Sequence, residues 1–313
     1  MLVAKILGMQ NTILLSISMV ASTLFLAEPA WAAHPMAAWV RSPGGYGKDL
    51  ANPGKTNEKR IDLDTLPQQQ GQRPDAQYGT TANYRGVLLR DLIEKYGPPA
   101  QVDLVLLHFH NGMIVPLPFR DARAMKRLDP LIALGRSAAA DAPYLAEFPP
   151  IDRSVEGYAD VRQVTFAGNK LVVSERWHPE LSAQAIESFS PWQTTSSLTG
   201  IEFVEANAYY RQFLPTADVR PGFEIFRHNC QFCHGVNKVG ASYGWDYATP
   251  LPLHTYRSNP ERLYMHIHYR VEYKATWQKM PALKHVTESE AALLWQWMRA
   301  ASSAPTPAYT PTR

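Results

Sequence analysis

The 313-residue chain has only two cysteines, Cys230 and Cys233. A secreted chain stapled by disulfides needs more. No third thiol is left for any other site, and residues 33–213 have none at all. Strong charge of either sign is also missing: 31 basic and 28 acidic residues leave +3, which is no nucleic-acid footprint. No internal repeat is evident, and no run beyond the first thirty or so residues is long and apolar enough to cross a bilayer. With 45% hydrophobic and 19% charged residues, the chain is ordinary globular material for two modest domains.

The N-terminus reads as an export signal. Lys5 supplies the positive region, residues 6–27 are uncharged, and Ile13 to Leu26 form the apolar stretch. Ala30-Trp31-Ala32 then offers the small-x-small pattern for cleavage before Ala33. An uncleaved anchor is the alternative, diluted by Gln10, Asn11 and several hydroxyl side chains. The expectation is a signal peptide over residues 1–32 and a periplasmic mature chain without membrane insertion.

Residues 34–80, rich in Gly, Pro, Gln and Asn, read as mostly loop. Leu88, Leu89, Leu92, Ile93 and Tyr96 then repeat at helical spacing, and Gly97-Pro98 ends the helix. Val102 to His110, a two-residue Asn111-Gly112 turn and Met113 to Phe119 predict a hairpin. Val161–Ala167 and Lys170–Ser174 about Gly168-Asn169 predict a second. The expected class is an α+β N-terminal domain, a mixed sheet with hairpins, over residues 33–213. Pro215 to Pro221 reads as a linker. Residues 214–303 read as all-α, and 304–313 as a disordered tail. In the helical part Asp218 is placed to cap a helix running to Asn229, Asn259 and Pro260 open another to about Tyr269, and Thr287-Glu288-Ser289-Glu290 is a capping box.

Cys230-Gln231-Phe232-Cys233-His234 is a C-x-x-C-H run, the attachment signature of c-type haem. Each sulfur can add to one porphyrin vinyl group, and the adjacent histidine then lies under the iron as proximal ligand. A thioredoxin-like dithiol, half a zinc site and a lone disulfide compete. Yet the motif closes a helix rather than opening one, and no second C-x-x-C exists. Met280-Pro281 supplies a candidate sixth ligand, a soft thioether that raises the potential. His266 and His268 are the rivals. The expected site is therefore Cys230 and Cys233 as haem thioethers, with His234 and Met280 on the iron, for one covalent haem c.

With these residues, 218–300 resembles the small class I cytochrome c fold. Gly222 and Phe226 match the family positions where first and last helices cross, and Trp297, in preference to Trp295, matches the aromatic of the last helix. The resemblance implies that a proline carbonyl, from Pro250 or Pro252, orients the haem histidine. Tyr243, Trp245 and Tyr247 read as pocket or surface aromatics.

In the N-terminal domain, Tyr84-Arg85-Gly86-Val87 leading into a leucine-rich helix, with Pro191-Trp192-Gln193 before Ile201-Glu202-Phe203-Val204, resembles the sulfite-oxidase-type molybdopterin-binding domain. That family holds molybdenum through a cysteine thiolate, and this domain has none. The resemblance therefore implies a degenerate, cofactor-free relative, with no molybdopterin, kept for docking or packing. His108 and His110 are placed on one strand face as a possible chelate, more simply hairpin histidines. Arg120, Arg123, Lys126 and Arg127 read as a solvated helix face, with a contact for an acidic redox partner as the alternative.

The expected function is a periplasmic carrier of single electrons, the accepting cytochrome of a dehydrogenase system, with a donor and a terminal acceptor as protein partners. The alternative is a self-contained molybdopterin/haem oxidoreductase of the sulfite-dehydrogenase type. A haem-based sensor is a third class, requiring an easily opened sixth position.

Overall fold

The computed structural model describes residues 37–43, 56–75, 80–137, 142–144, 169–188, 190–193, 198–269 and 280–303. The expected signal peptide, most of the second hairpin and the expected tail lie outside these residues.

In chain order the elements are β1 (Ala37–Pro43), β2 (Thr56–Asp62), β3 (Gln69–Asp75), β4 (Thr80–Leu88), α1 (Leu89–Tyr96), β5 (Leu104–Phe109), β6 (Ile114–Leu117), α2 (Ala122–Leu128) and β7 (Leu131–Ser137). They continue with β8 (Lys170–Val172), α3 (Ala183–Ser188), β9 (Leu198–Val204), α4 (Ala206–Arg211), α5 (Arg220–Asn229), β10 (Gly235–Val236) and β11 (Val239–Gly240). Helices α6 (Leu253–Tyr256), α7 (Pro260–Tyr269) and α8 (Glu288–Ser303) complete the chain.

The N-terminal part holds two sheets, of order β2-β1-β9-β5-β6 and β3-β4-β7-β8. The first is mixed, because β1 runs parallel to β9 while β9 and β5 are antiparallel. Strands β5 and β7 are almost continuously buried, the pattern of strands covered on both faces. The expected α+β class with a mixed sheet and a hairpin is thus present, followed by a helical region. The only strands in that region, among the described residues, are the two-residue β10 and β11.

The sequence reading differs from the structure at several places. Much of the stretch 34–80 is strand, not loop: β1, β2 and β3 lie there. β2 and β3 are polar and β1 has a short apolar start without alternation, so their pairing comes from partner strands rather than from a pattern of their own. The β5–β6 loop has three residues, His110 to Gly112, not two. Phe109 N–H donates to the Met113 carbonyl at 3.0 Å, and Gly112 N–H to the Phe109 carbonyl at 2.9 Å. Gly112 has φ +88, whereas Asn111 is not in the left-handed region that the two-residue turn would require. Helix α5 is capped by Val219, not by the Asp218 side chain. Residues Ala217–Val219 form a 3-10 turn running straight into the helix.

The other helix signals hold. Asn259 Oδ1 accepts the Arg262 N–H at 2.8 Å. Thr287 Oγ1 accepts the Glu290 N–H at 3.2 Å while Glu290 Oε2 accepts the Thr287 N–H at 2.8 Å, the reciprocal capping box.

Helices α5 and α8 cross at Gly222. A methyl group there would meet the Leu293 carbonyl and lie 2.7 Å from Trp297 Cβ. Bare backbone allows the Trp297 ring to reach Phe226, with centroids 4.4 Å apart. Trp297 is fully buried and its indole N–H donates to the Phe213 carbonyl at 2.7 Å.

One apolar cluster runs from the sheets into these helices. The two parts are also tied by polar contacts. Arg227 on α5 is paired with Glu180 at 2.7 Å, and its guanidinium lies over the Tyr210 ring. His178, fully buried, bonds the Pro116 carbonyl at 3.0 Å through Nε2 and receives the Glu180 N–H at 3.3 Å on Nδ1.

Two outcomes follow from this packing. Gly222→Ala should lower stability in urea unfolding by about 3 kcal/mol, because neither backbone nor Trp297 can give way. Thr287→Ala should lose only about 1 kcal/mol; equal losses would refute the close-crossing argument. Burial, with Arg227 and His228 nearby, pushes His178 down to about 4, so it is neutral in the fold. The unfolded histidine takes its proton near its ordinary value of 6.5. Stability is therefore complete above pH 6.5 and falls by about 3 kcal/mol as the pH drops toward 4. His178→Gln should flatten that part of the profile, and parallel profiles for the two proteins would exclude His178 as its source.

Candidate functional site

Helix α5 delivers the C-x-x-C-H run at its end. Cys230 is the C-cap, its N–H bonded to the Phe226 carbonyl at 2.7 Å. The turn then tightens so that both Cys233 and His234 donate their N–H to the Cys230 carbonyl, at 3.1 and 3.0 Å. The two thiols are free, on one turn, with Cys230 buried and Cys233 half-buried.

Asn237 and Lys238, with φ 52 and 66, make the turn between β10 and β11. The Asp246 carboxylate then takes four backbone N–H groups: Asn237 at 3.1 Å, Lys238 at 2.7 Å, Ala248 at 2.8 Å and Thr249 at 2.9 Å. That anchor carries the segment 244–247 over His234. The Trp245 carbonyl accepts His234 Nδ1–H at 2.7 Å. Gly244 lies against the ring, and a methyl there would come within 2.8 Å of Nε2. The Tyr247 ring stacks from 4.7 Å, and its hydroxyl bonds the Cys230 sulfur.

The orienting carbonyl is therefore that of Trp245, not that of Pro250 or Pro252 as the family resemblance implied. The reason is the Asp246 anchor, which turns the chain toward His234 before either proline is reached. With Nδ1 holding the proton, Nε2 keeps its lone pair. Burial holds the imidazole below its ordinary value, the Trp245 bond and Asp246 working against this. Neutral imidazole is the ligating form.

Burial pushes both thiols up, each to about 12. Such thiols lack the thiolate character of a redox dithiol. Among the described residues no cluster of three or more His, Cys, Asp or Glu could hold a metal, so no half zinc site finds its second half there. What remains is a pair of apolar-set sulfurs one turn apart beside a histidine whose Nδ1 holds the proton, leaving the lone pair on Nε2. This donor set fits a porphyrin bonded at two carbons with its iron on nitrogen.

Met280 is half-buried against the apolar cluster, and the segment after it is tied to α7 by the Leu283 N–H on the Ile267 carbonyl at 2.8 Å. Of its rivals, His268 points Nδ1 at the Val286 carbonyl, 3.2 Å away, beside the Tyr264 ring. His266 receives an Arg257 N–H on Nδ1 at 3.1 Å. Burial, then Arg257 and His234, push His266 down to about 4.

The comparisons with known proteins fit this geometry. Residues 217–298 match the family described as cytochrome C oxidase, cbb3-type, subunit III. This stretch is a cytochrome c domain. A cytochrome c domain implies haem c and electron transfer. No curated protein matches the sequence. Among solved structures, the sulfane dehydrogenase SoxCD from Paracoccus pantotrophus aligns over 55% of this chain and 39% of its own, at 11% identity and a TM-score of 0.30. The chain thus spans well under half the length of that protein.

The N-terminal part approaches the cytochrome c domain at the motif itself. Ile114 N–H donates to the Phe232 carbonyl at 3.1 Å, and Ser242 N–H to the Gly112 carbonyl at 2.8 Å. Phe232 is fully buried with its ring 5.3 Å from that of His178. Sequence reasoning did not find Ile114, His178 or Glu180, because nothing in their local pattern marks a contact across so many residues. His108 does not pair with His110. The strand ends at Phe109, leaving His110 exposed in the turn, while His108 Nε2 meets the buried Glu202 at 2.9 Å. Of the basic cluster, Arg120 is held by the Val102 and Pro99 carbonyls and Arg127 by Glu175, leaving Arg123 and Lys126 on the surface.

Gly244→Ala should displace the His234 ring. In the haem-loaded protein this should appear as a shifted midpoint potential and an altered ferric spectrum. An unchanged potential and spectrum would show that the contact does not position the ring.

Proposed function

We propose that the protein is a one-haem electron carrier: Cys230 and Cys233 bond the porphyrin, His234 Nε2 and the Met280 sulfur hold the iron, and single electrons pass to and from protein partners. The observation that carries this reading is the His234–Trp245 hydrogen bond, which gives the imidazole beside two free thiols the tautomer a haem iron needs. Haem supplies the one-electron couple. The chain's own residues attach it, fix the ring and shape its pocket. A thioether opposite the imidazole favours the ferrous state.

The N-terminal part is a cofactor-free platform with a fold related to molybdopterin-binding domains, since residues 33–213 contain no thiol for a molybdenum ligand. The chain is exported, with cleavage after Ala32, and serves as the electron-accepting component of a periplasmic dehydrogenase system. The domain division is set after residue 213; the Phe213 carbonyl there accepts the Trp297 indole N–H at 2.7 Å.

The test is the mature protein made in a host that attaches haem. Its mass should exceed that of the polypeptide by one haem, and metal analysis should find one iron and no molybdenum. Cys230→Ser with Cys233→Ser should abolish the covalent adduct. Met280→Ala should remove the weak far-red ferric band of iron–thioether ligation, while His266→Ala should leave it in place. A colourless chain sinks the whole proposal. Loss of low-spin character in His266→Ala alone sinks Met280, and stoichiometric molybdenum would make the chain an oxidoreductase in its own right.

A further inference from the structure

Resting on that reading, we propose that Asn229 and His285 form a latch that keeps the Met280 sulfur in place. His285 is a positioning residue for the distal ligand and acts through the short backbone between 280 and 285.

A thioether is a neutral and weak axial donor, so its hold on a metal depends on how well the chain presents it. Pro281 confines the Met280 backbone to extended conformations. A turn follows, closed by the Val286 N–H on the Leu283 carbonyl at 3.1 Å. Leu283 and Val286 are buried on either side of it, while Lys284 is exposed and His285 half-buried. Two bonds tie this turn to α7: the Leu283 N–H on the Ile267 carbonyl at 2.8 Å, and His268 Nδ1 on the Val286 carbonyl at 3.2 Å.

The tie toward the haem-binding turn is His285. Asn229 is the last residue of α5 and directly precedes Cys230. Its Nδ2 donates back to the Ile225 carbonyl at 2.9 Å, which turns Oδ1 outward. His285 Nε2 meets that oxygen at 2.7 Å. An amide oxygen only accepts, so His285 donates and its tautomer is set. One bond thus joins the residue before the first haem cysteine to a residue five positions after Met280. Five residues reach about 17 Å when extended, and the turn shortens that. With the latch closed, the sulfur is confined near one place and its effective concentration there is high. With the latch open, the same segment is pinned to α7 alone, and a rival donor competes better. One coordination bond is then exchanged for another, with no change of oxidation state.

The experiment uses the full haem-loaded chain. Alkaline titration of the far-red ferric band gives the pH at which a rival donor displaces the sulfur. Carbon monoxide uptake by the reduced protein gives the rate at which the sixth position opens. His285→Leu should lower the titration midpoint by about one pH unit and speed uptake by about tenfold, the scale of one hydrogen bond between half-buried groups. His285→Gln keeps an amide N–H for Asn229 Oδ1 and should restore most of both. Asn229→Ala should match His285→Leu, and the double variant should be no worse than either single one. Thr287→Ala weakens the α8 cap and should lower unfolding stability while leaving both haem readings at wild-type values. Should His285→Leu not fold, Asn229→Ala against His285→Gln carries the same comparison. The proposal is overturned if the midpoint and rate stay put in His285→Leu, if the two single effects add in full, or if Thr287→Ala moves both readings as far. A red wild type without the far-red band defeats Met280 as ligand, and with it the reading beneath this inference. A band indifferent to His285 defeats only the inference.

Discussion

An imidazole has two nitrogens and, when neutral, one proton, so whatever fixes that proton fixes which nitrogen can bind metal. Here the Trp245 carbonyl fixes it, and the rest of the site is arranged to bring that carbonyl to its place. Asp246 gathers four backbone N–H groups and folds the loop back. Gly244 lets the loop lie flat on the ring, and Tyr247 closes the other approach. The thiols need only sit on the preceding turn, which the end of α5 provides. The crossing of α5 with α8 at Gly222 holds that helix end still, through Phe226 and Trp297.

The N-terminal part does more than precede the cytochrome c domain. It meets the motif with a strand-edge hydrogen bond to Phe232, a neutral histidine against its ring and a two-armed Arg227–Glu180 pair on the adjoining helix. Partly buried, that pair keeps most of its attraction, but each charge depends on the other being present. The sheets, whose residues 33–213 include no cysteine, thus hold the C-x-x-C-H turn from outside.

The parts legible in the sequence were those written locally. The helix ending at Gly97 and the Asn259 and Thr287 caps depend on residues a few positions apart, whereas the Gly222–Phe226–Trp297 crossing came from the resemblance to class I cytochromes c. The C-x-x-C-H run is of the first kind. Strands β1, β2 and β3 were missed because none carries an apolar alternation, β2 and β3 being polar; their hydrogen bonds go to neighbours that the local sequence does not reveal. The Trp245 carbonyl was missed for a related reason. A backbone oxygen has no residue signature, and the signal that could have found it was Asp246, an acidic side chain placed to bind backbone N–H groups just after it. The His178 and Ile114 contacts join positions far apart in the chain, so only the assembled fold brings them to Phe232.

The burial of Phe232 and Cys230 bears on how the molecule is put together. Cys230 is 3% exposed, and two residues on, the Phe232 carbonyl accepts the Ile114 N–H. If a porphyrin is bonded to this motif as proposed, the bonds are best made before Phe232 is clamped, and closing the sheets over the motif then shields the finished adduct.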